Sequence, residues 1–176
     1  MRNFILATSE RGVIGYNGNL PWNLPEEYQY FLDKIKDADA IVMARDTFRA
    51  LGEKPIKNCP HFILTHSPKS YTEHVHFVSY TDLLYLDFPN IWYIGGKSIY
   101  ESIDIIRPDR VYLTKVNVDI PKVDIPIGDK VVCLSPSFFE SLSRDYQLTS
   151  SFHSIILDRD TDEKVACEFM EWDKKS

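Results

Sequence analysis

A chain of 176 residues is long enough to bury roughly 70% of the surface its unfolded form exposes, so a core can hold it without disulfide or metal staples. A net charge of −6 and a pI near 5.3 exclude the broad basic surface that nucleic-acid binding requires. No apolar run approaches the roughly 18 residues of a membrane span, and no basic segment followed by an apolar stretch marks a secretion signal.

The length predicts a single domain over residues 1–176. Cys59, Cys133 and Cys167 form an odd set without metal-ligand spacing. They read as reduced thiols in a reducing compartment, which places the chain in the cytoplasm. His74 and His76 alternate along an extended stretch with no further ligand nearby, so no metal site is expected.

In chain order, Phe4-Ile5-Leu6-Ala7 is a continuous apolar run of the kind a strand buried on both faces shows. Residues 9–19 then hold Gly12, Gly15, Gly18, Asn17 and Asn19 and read as a long loop. The next stretch is Leu20-Pro21-Trp22-Asn23-Leu24-Pro25-Glu26-Glu27. Asn23 and Glu26 match a capping box with Pro25 in the first turn, which predicts a helix to about Asp37. Tyr28, Phe31 and Ile35 form its apolar stripe. Glu27 precedes Phe31 by one turn and shares that face, leaving Glu26 at the cap. The plain alternative for Glu27 is a solvated acid favoured by the helix dipole.

Ala40–Ala44 is a second buried run, and residues 46–51 followed by Gly52 read as a two-turn helix with a glycine stop. Residues 61–65 and 76–79 are strands, residues 81–87 a short helix, and residues 91–94 another strand. Gly95-Gly96 follows, then a helix through Ile99, Tyr100, Ile103 and Ile106. Strand, diglycine and helix start together present backbone N–H groups to an anion. Gly96-Lys97-Ser98 does not complete a phosphate-loop motif, because Ile91 stands where that motif needs glycine. Residues 110–118 read as a longer strand, and residues 147–157 and 164–172 as a hairpin around the charged turn 158–163. Strands alternating with helices and a closing hairpin define a mixed, mainly parallel α/β sheet.

Five stretches in register carry a family resemblance: Ile14-Gly15; Leu20 to Glu27 leading to Phe31; Val42-Met43-Ala44-Arg45-Asp46-Thr47-Phe48; Ile94-Gly95-Gly96 with Ile99-Tyr100; and Leu113-Thr114. Together they resemble dihydrofolate reductase, from residue 4 to about residue 126; the C-terminal hairpin is similar in layout only. The resemblance implies a dihydrofolate reductase-like α/β fold, with a central, mainly parallel eight-stranded sheet, four flanking helices and a C-terminal antiparallel hairpin. It implies NADPH-dependent reduction of 7,8-dihydrofolate to 5,6,7,8-tetrahydrofolate, a step of one-carbon metabolism and nucleotide precursor synthesis. The expected protein is a monomer acting on a small molecule, with neither nucleic acid nor membrane as partner.

Carried over residue by residue, Glu27 would be the pterin-binding acid, Thr114 its hydrogen-bonded partner, and Trp22 the holder of a water near the reacting ring. Ile5, Ala7, Tyr28, Phe31, Leu51, Ile94 and Tyr100 would line the pterin and nicotinamide pocket. Cofactor contacts would come from Ala7, Ile14, Leu20, Ala44, Arg45, Asp46, Thr47, Leu64, Thr65, His66, Gly95, Gly96, Lys97 and Ser98. Residues 12–20 would form a mobile loop over the nicotinamide. Arg45 before a helix, beside Thr65 and His66 at a strand end, suits a ribose 2′-phosphate and favours NADPH over NADH. The plain alternative for Arg45 is a surface pair with Asp46.

Two positions depart from the family pattern. Ala44 stands where the family usually has glycine. Cys59 stands where an arginine usually grips the substrate's glutamate α-carboxylate, and a thiol cannot make that bidentate contact. Lys57 and His61 are the nearby substitutes. Two further functions stay open on the sequence: a reductase of the same fold acting on another pterin or pyrimidine, and a non-catalytic protein that has kept the fold.

Overall fold

The structure, a computed structural model, describes residues 1–67, 74–118 and 130–176. The part of the family resemblance over residues 119–126 lies outside the described residues.

Ten strands are present among the described residues: β1 (Arg2–Ser9), β2 (Val13–Tyr16), β3 (Ala40–Ala44), β4 (His61–Leu64), β5 (Val75–Val78), β6 (Ile91–Tyr93), β7 (Arg110–Val116), β8 (Val131–Cys133), β9 (Tyr146–Leu157) and β10 (Lys164–Lys174). The α-helices are α1 (Pro25–Lys34), α2 (Arg45–Ala50), α3 (Tyr80–Leu84), α4 (Lys97–Tyr100), α5 (Ile103–Ile106) and α6 (Pro136–Asp145); a 3-10 turn, Ile35–Asp37, extends α1. Eight strands form one sheet in the order β5-β4-β3-β6-β1-β7-β10-β9. Neighbours from β5 through β7 run parallel, and β10 is antiparallel to both β7 and β9. The family's mainly parallel eight-stranded sheet with its closing hairpin is therefore present.

Strand alternation sorts the core onto the two faces of the sheet. Phe4, Leu6, Val42, Tyr93, Val111 and Leu113 pack on one face with Ile99, Ile103, Phe138 and Leu142 from the helices. Ile5, Ile41, Met43, Ile63, Trp92, Ile94 and Tyr112 face the other way, with Ile35 and Phe48. A third cluster on this second face joins Trp22 and Leu24 to Val116, Cys167 and Phe169. The second and third clusters are separate, and the seam between them matters below.

Several local expectations are corrected. Residues 12–20 are not a loop throughout: Val13–Tyr16 forms β2 and pairs with β8, with the turn at Asn17 and Gly18 in the left-handed region. The partner strand lies more than a hundred residues away, so no local pattern announces it. The Asn23–Glu26 capping box does not form. Helix α1 begins at Pro25 with Leu24 as its uncapped N-cap. Asn23 instead donates its side-chain amide to Asp160 Oδ1 at 3.1 Å, and its carbonyl accepts from Arg159 N at 2.9 Å. The long hairpin turn has captured the residue meant for the cap. Tyr28 is not on the buried stripe; it is 44% exposed, and the inward face of α1 runs through Leu24, Glu27 and Ile35. The helix after the diglycine breaks into α4 and α5, α3 stops at Leu84, and the described residues hold six α-helices where the resemblance implied four. Helix α6 had no prediction; Pro136 opens it and Phe138, Ser141 and Leu142 face inward.

Ile41 is fully buried between β4 and β6. Truncating it to alanine should lower the unfolding free energy by about 2–5 kcal/mol in urea titrations, as deletion of a buried branched side chain does.

Candidate active site

Because the strands from β5 through β7 are parallel, their C-terminal ends lie along one edge of the sheet. In open α/β sheets that edge is where ligands bind. Here it gathers Ala7 to Ser9, Ala44-Arg45, Leu64 to His66, Ile94 to Gly96, and Thr114 to Val116.

Glu27 lies over the second face, in the first turn of α1. It is 6% exposed although it is charged, because it shares the inward face with Leu24 and Ile35. Beneath it runs the seam between the two apolar clusters. Alternation along β7 places Tyr112 in one cluster and Val116 in the other, with Thr114 between them. Thr114 is 2% exposed and pairs in register with Ala7 of β1. Among the described residues, no hydrogen bond joins Thr114 to Glu27.

Burial pushes the Glu27 carboxyl up to about 7, against a small opposing pull from the Trp22 indole. The Trp22 Nε1–H is buried and falls short of hydrogen-bond geometry with any described group. The Glu27 charge is felt by its surroundings. Together with burial, the larger cause, it raises the Tyr100 phenol and pushes the Cys167 thiol up to about 11. Tyr100 donates its hydroxyl to Ile5 O at 2.6 Å, so helix α4 and strand β1 meet beside the acid.

The diglycine follows β6. The Gly95–Gly96 peptide is cis, and Ala44 N donates to Gly95 O at 2.6 Å. Gly95 has φ +135, and a Cβ there would lie 3.1 Å from Thr47 Oγ1 and 3.3 Å from Tyr100 Oη. Only glycine leaves the backbone bare at this point. Ala44, the departure from the family's glycine, is half-buried and serves as the N-cap of α2.

Arg45 is exposed at the start of α2, and the expected pair with Asp46 is absent: Asp46 bonds Arg49 at 3.3 Å instead. Among the described residues no acid holds the Arg45 side chain. Ala44 pairs with Leu64, which brings Thr65 and His66 next to Arg45. Thr65 is buried, with Oγ1 accepting from Ser67 N at 3.3 Å, and His66 is exposed. Lys97 and Ser98 are exposed beyond the diglycine, with Lys97 Nζ 3.9 Å from Glu101. On the other flank, Ile14 is half-buried and Leu20 is 50% exposed. Phe31 and Leu51 pack against the cluster that contains Ile5 and Ile94, and Tyr28 leans on Phe31 with ring centres 5.9 Å apart.

The position of the missing arginine is also clear. Cys59 is buried in the second cluster. Neither substitute is free: Lys57 Nζ donates to Ala38 O at 2.6 Å, and His61 is fully buried with both ring nitrogens bonded to backbone. Neither engagement, nor the place of Cys167 beside Glu27, is legible in the sequence, because each depends on a backbone atom or a contact that no residue pattern marks.

Comparison with known proteins places this architecture. The family model described as dihydrofolate reductase matches residues 1–173, and the chain belongs to that family. It is 30% identical to a dihydrofolate reductase of Bacillus subtilis over 179 residues, covering 100% of this chain and 96% of that protein. It is 30% identical over 133 residues to a bifunctional dihydrofolate reductase-thymidylate synthase of Paramecium tetraurelia; the match takes 73% of this chain but spans only 28% of that protein. A solved dihydrofolate reductase from Enterococcus faecalis, complexed with NADP(H) and RAB-propyl, superposes with a TM-score of 0.77 at 22% identity, covering 100% of this chain and 97% of that one.

The Glu27 shift has a stability consequence. Its folded-state value, about 7, lies above the unfolded value of 4.5, so the folded protein is favoured below the unfolded value and loses that advantage as pH rises through 7. Glu27→Gln should therefore be more stable than the parent at pH 8, by up to about 3 kcal/mol at 1.36 kcal/mol per pKa unit, and nearly equal to it at about pH 4. Urea unfolding of both proteins at the two pH values measures this.

Proposed function

We propose that this chain reduces 7,8-dihydrofolate to 5,6,7,8-tetrahydrofolate with NADPH, using Glu27 as the acid at the pterin edge. The observation that carries the reading is a carboxylate, 6% exposed and titrating near neutrality, held at the ligand-binding edge of a parallel sheet without a cationic partner among the described residues. Such a group suits proton handling at pH 7 and has no structural task that an apolar residue would not do better. Membership of the family supports the same activity, and the NADP(H) bound to the E. faecalis relative supports the cofactor. The synthase activity in the name of the Paramecium protein is not carried over.

The cofactor supplies the hydride; the protein aligns two flat rings, excludes water and manages one proton. Glu27 would accept two hydrogen bonds from the amino-pyrimidine edge. Trp22, with its unpartnered Nε1–H, would hold a water beside the carboxyl, and Thr114 would bound the same corner. Ile5, Ala7, Tyr28, Phe31, Leu51, Ile94 and Tyr100 would wall the rings. The bare diglycine, with Ala44, Asp46, Thr47, Lys97 and Ser98, fits the pyrophosphate. Arg45, exposed and without an acid, fits a 2′-phosphate beside Leu64, Thr65 and His66. Ala7, Ile14 and Leu20 would flank the nicotinamide.

One copy holds every residue in this scheme, so a monomer of one domain suffices for turnover. Free Cys59, Cys133 and Cys167 fit a reducing compartment such as the cytoplasm. No helix among the described residues is long and apolar enough to cross a membrane. Cys59 adds a second reading at the substrate's far end. With Lys57 and His61 occupied, the glutamate tail finds no cation there, which favours tolerance of tail-less pterins.

Loss of NADPH absorbance on mixing with dihydrofolate tests the activity, and Glu27→Gln should lower turnover by orders of magnitude while the protein stays folded. Absence of NADPH consumption on mixing with dihydrofolate, or an unaffected variant, would remove the assignment. A dihydropterin lacking the glutamate should be used with a kcat/KM within about tenfold of dihydrofolate, because no charge-assisted contact is lost with the tail.

A further inference from the structure

His61 opens β4 and is completely buried, yet the chemistry above uses neither of its ring nitrogens. Both are engaged by the backbone of one segment, the residues between α2 and β4. Ile56 N–H donates to Nε2 at 3.1 Å, and Nδ1 lies 2.7 Å from Cys59 O. A backbone N–H can only donate, so Nε2 must accept; a carbonyl can only accept, so Nδ1 must carry the hydrogen. The two contacts together fix a neutral imidazole in its Nδ1–H tautomer.

The segment has other anchors, at Glu53 N to Phe48 O (2.9 Å) and Lys57 Nζ to Ala38 O (2.6 Å). Neither of these holds Ile56 or Cys59. Those two side chains pack in the cluster that also takes Phe31 and Leu51, two of the walls assigned to the substrate.

We propose that His61 is a positioning residue of the substrate pocket: its neutral ring pins residues 56–59 behind Phe31 and Leu51, and uptake of a proton releases them. The proposal rests on the substrate reading given above. Protonation turns Nε2 into a donor facing the Ile56 N–H and places a charge between Ile41 and Val75 of the adjoining strands. Among the described residues the ionisable groups around the ring and its segment are few. The His74 imidazole opposes a second positive charge, and its carbonyl already accepts from His61 N at 2.7 Å. Lys57 and Asp39 act on the Cys59 thiol from either side. Among the described residues no carboxylate bonds to the ring. Burial keeps the ring's pKa below that of an ordinary histidine, against an upward pull from the Cys59 carbonyl and with a lesser downward push from His74. The segment is therefore held at neutral pH and loosens as pH falls below the ordinary histidine value.

Two variants separate this role from simple packing. His61→Gln keeps an acceptor within reach of Ile56 N–H but cannot titrate; His61→Phe fills the space with no nitrogen. In the parent protein, KM for dihydrofolate should rise about three- to tenfold between about pH 7.5 and pH 5.5, within the tenfold per pH unit that one proton allows, while the KM for NADPH stays level. His61→Gln should keep only the change in dihydrofolate KM that Glu27 itself imposes over this range, a rise about three- to tenfold smaller than the parent's, and His61→Phe should show a raised KM already at pH 7.5 with kcat nearly unchanged. Hydrogen exchange of amides 52–59 in the ligand-free protein, corrected for intrinsic rates, should accelerate with acid in the parent and not in His61→Gln. If parent and His61→Gln respond to acid alike in both measurements, the role of His61 is refuted, whether or not His61→Phe folds. If protection follows the expected pattern but dihydrofolate is never turned over, it is the pocket assignment that fails.

Discussion

Withdrawing one carboxylate from water is the constraint on which the site depends. An unpaired charge in an apolar setting is expensive, and the group responds by holding its proton to higher pH. Glu27 shows this response, with its carboxyl pushed up to about 7. The cost is borne by the packing on either side of it. Ile5 and Tyr112 belong to one apolar cluster, Trp22, Val116, Cys167 and Phe169 to the other, and the acid covers the gap between them. A continuous apolar layer would have left no place for a carboxyl to meet a polar ligand edge.

The parallel sheet determines where that gap can open. Five consecutive parallel pairings bring six strand ends to one edge. Three different chemistries meet there: an acid and a threonine over β1 and β7, bare backbone after β6, and, after β3, a guanidinium that no acid among the described residues holds. Under the proposed function these would take a pterin, a pyrophosphate and a phosphate monoester in turn. Specificity at the far end of the substrate is thinner. The segment before β4 spends its lysine on Ala38 and its histidine on its own backbone, and turns Cys59 inward.

The central strands were legible in the sequence because a strand buried on both faces must be apolar throughout, as Phe4 to Ala7 and Ile41 to Met43 are. The face chosen by Glu27 followed from helical phase alone. The elements that escaped were those whose partners are distant. Strand β2 is four residues long and becomes a strand only against β8. Asn23 is a good cap by composition, but Asp160, 137 residues later, outcompetes the helix for its amide. Tyr28 fits the apolar stripe by spacing and stays exposed because the stripe turns toward Glu27 rather than away from it. The choice of pterin acid could be argued from motif order; the silence of Lys57 and His61 could not, because it comes from hydrogen bonds to backbone atoms that carry no sequence signature.

The closing hairpin has a consequence for how the site comes into being. Cys167 and Phe169 of β10 form part of the wall beneath Trp22 and Glu27, and β10 reaches that place by pairing with β7 from Val116 to Arg110. During synthesis, residues 1–116 can lay down the parallel strands and helix α1 while the acid still stands against water on one side. Its environment, and with it a carboxyl able to keep a proton at neutral pH, exists only once residues 164–174 have emerged and docked.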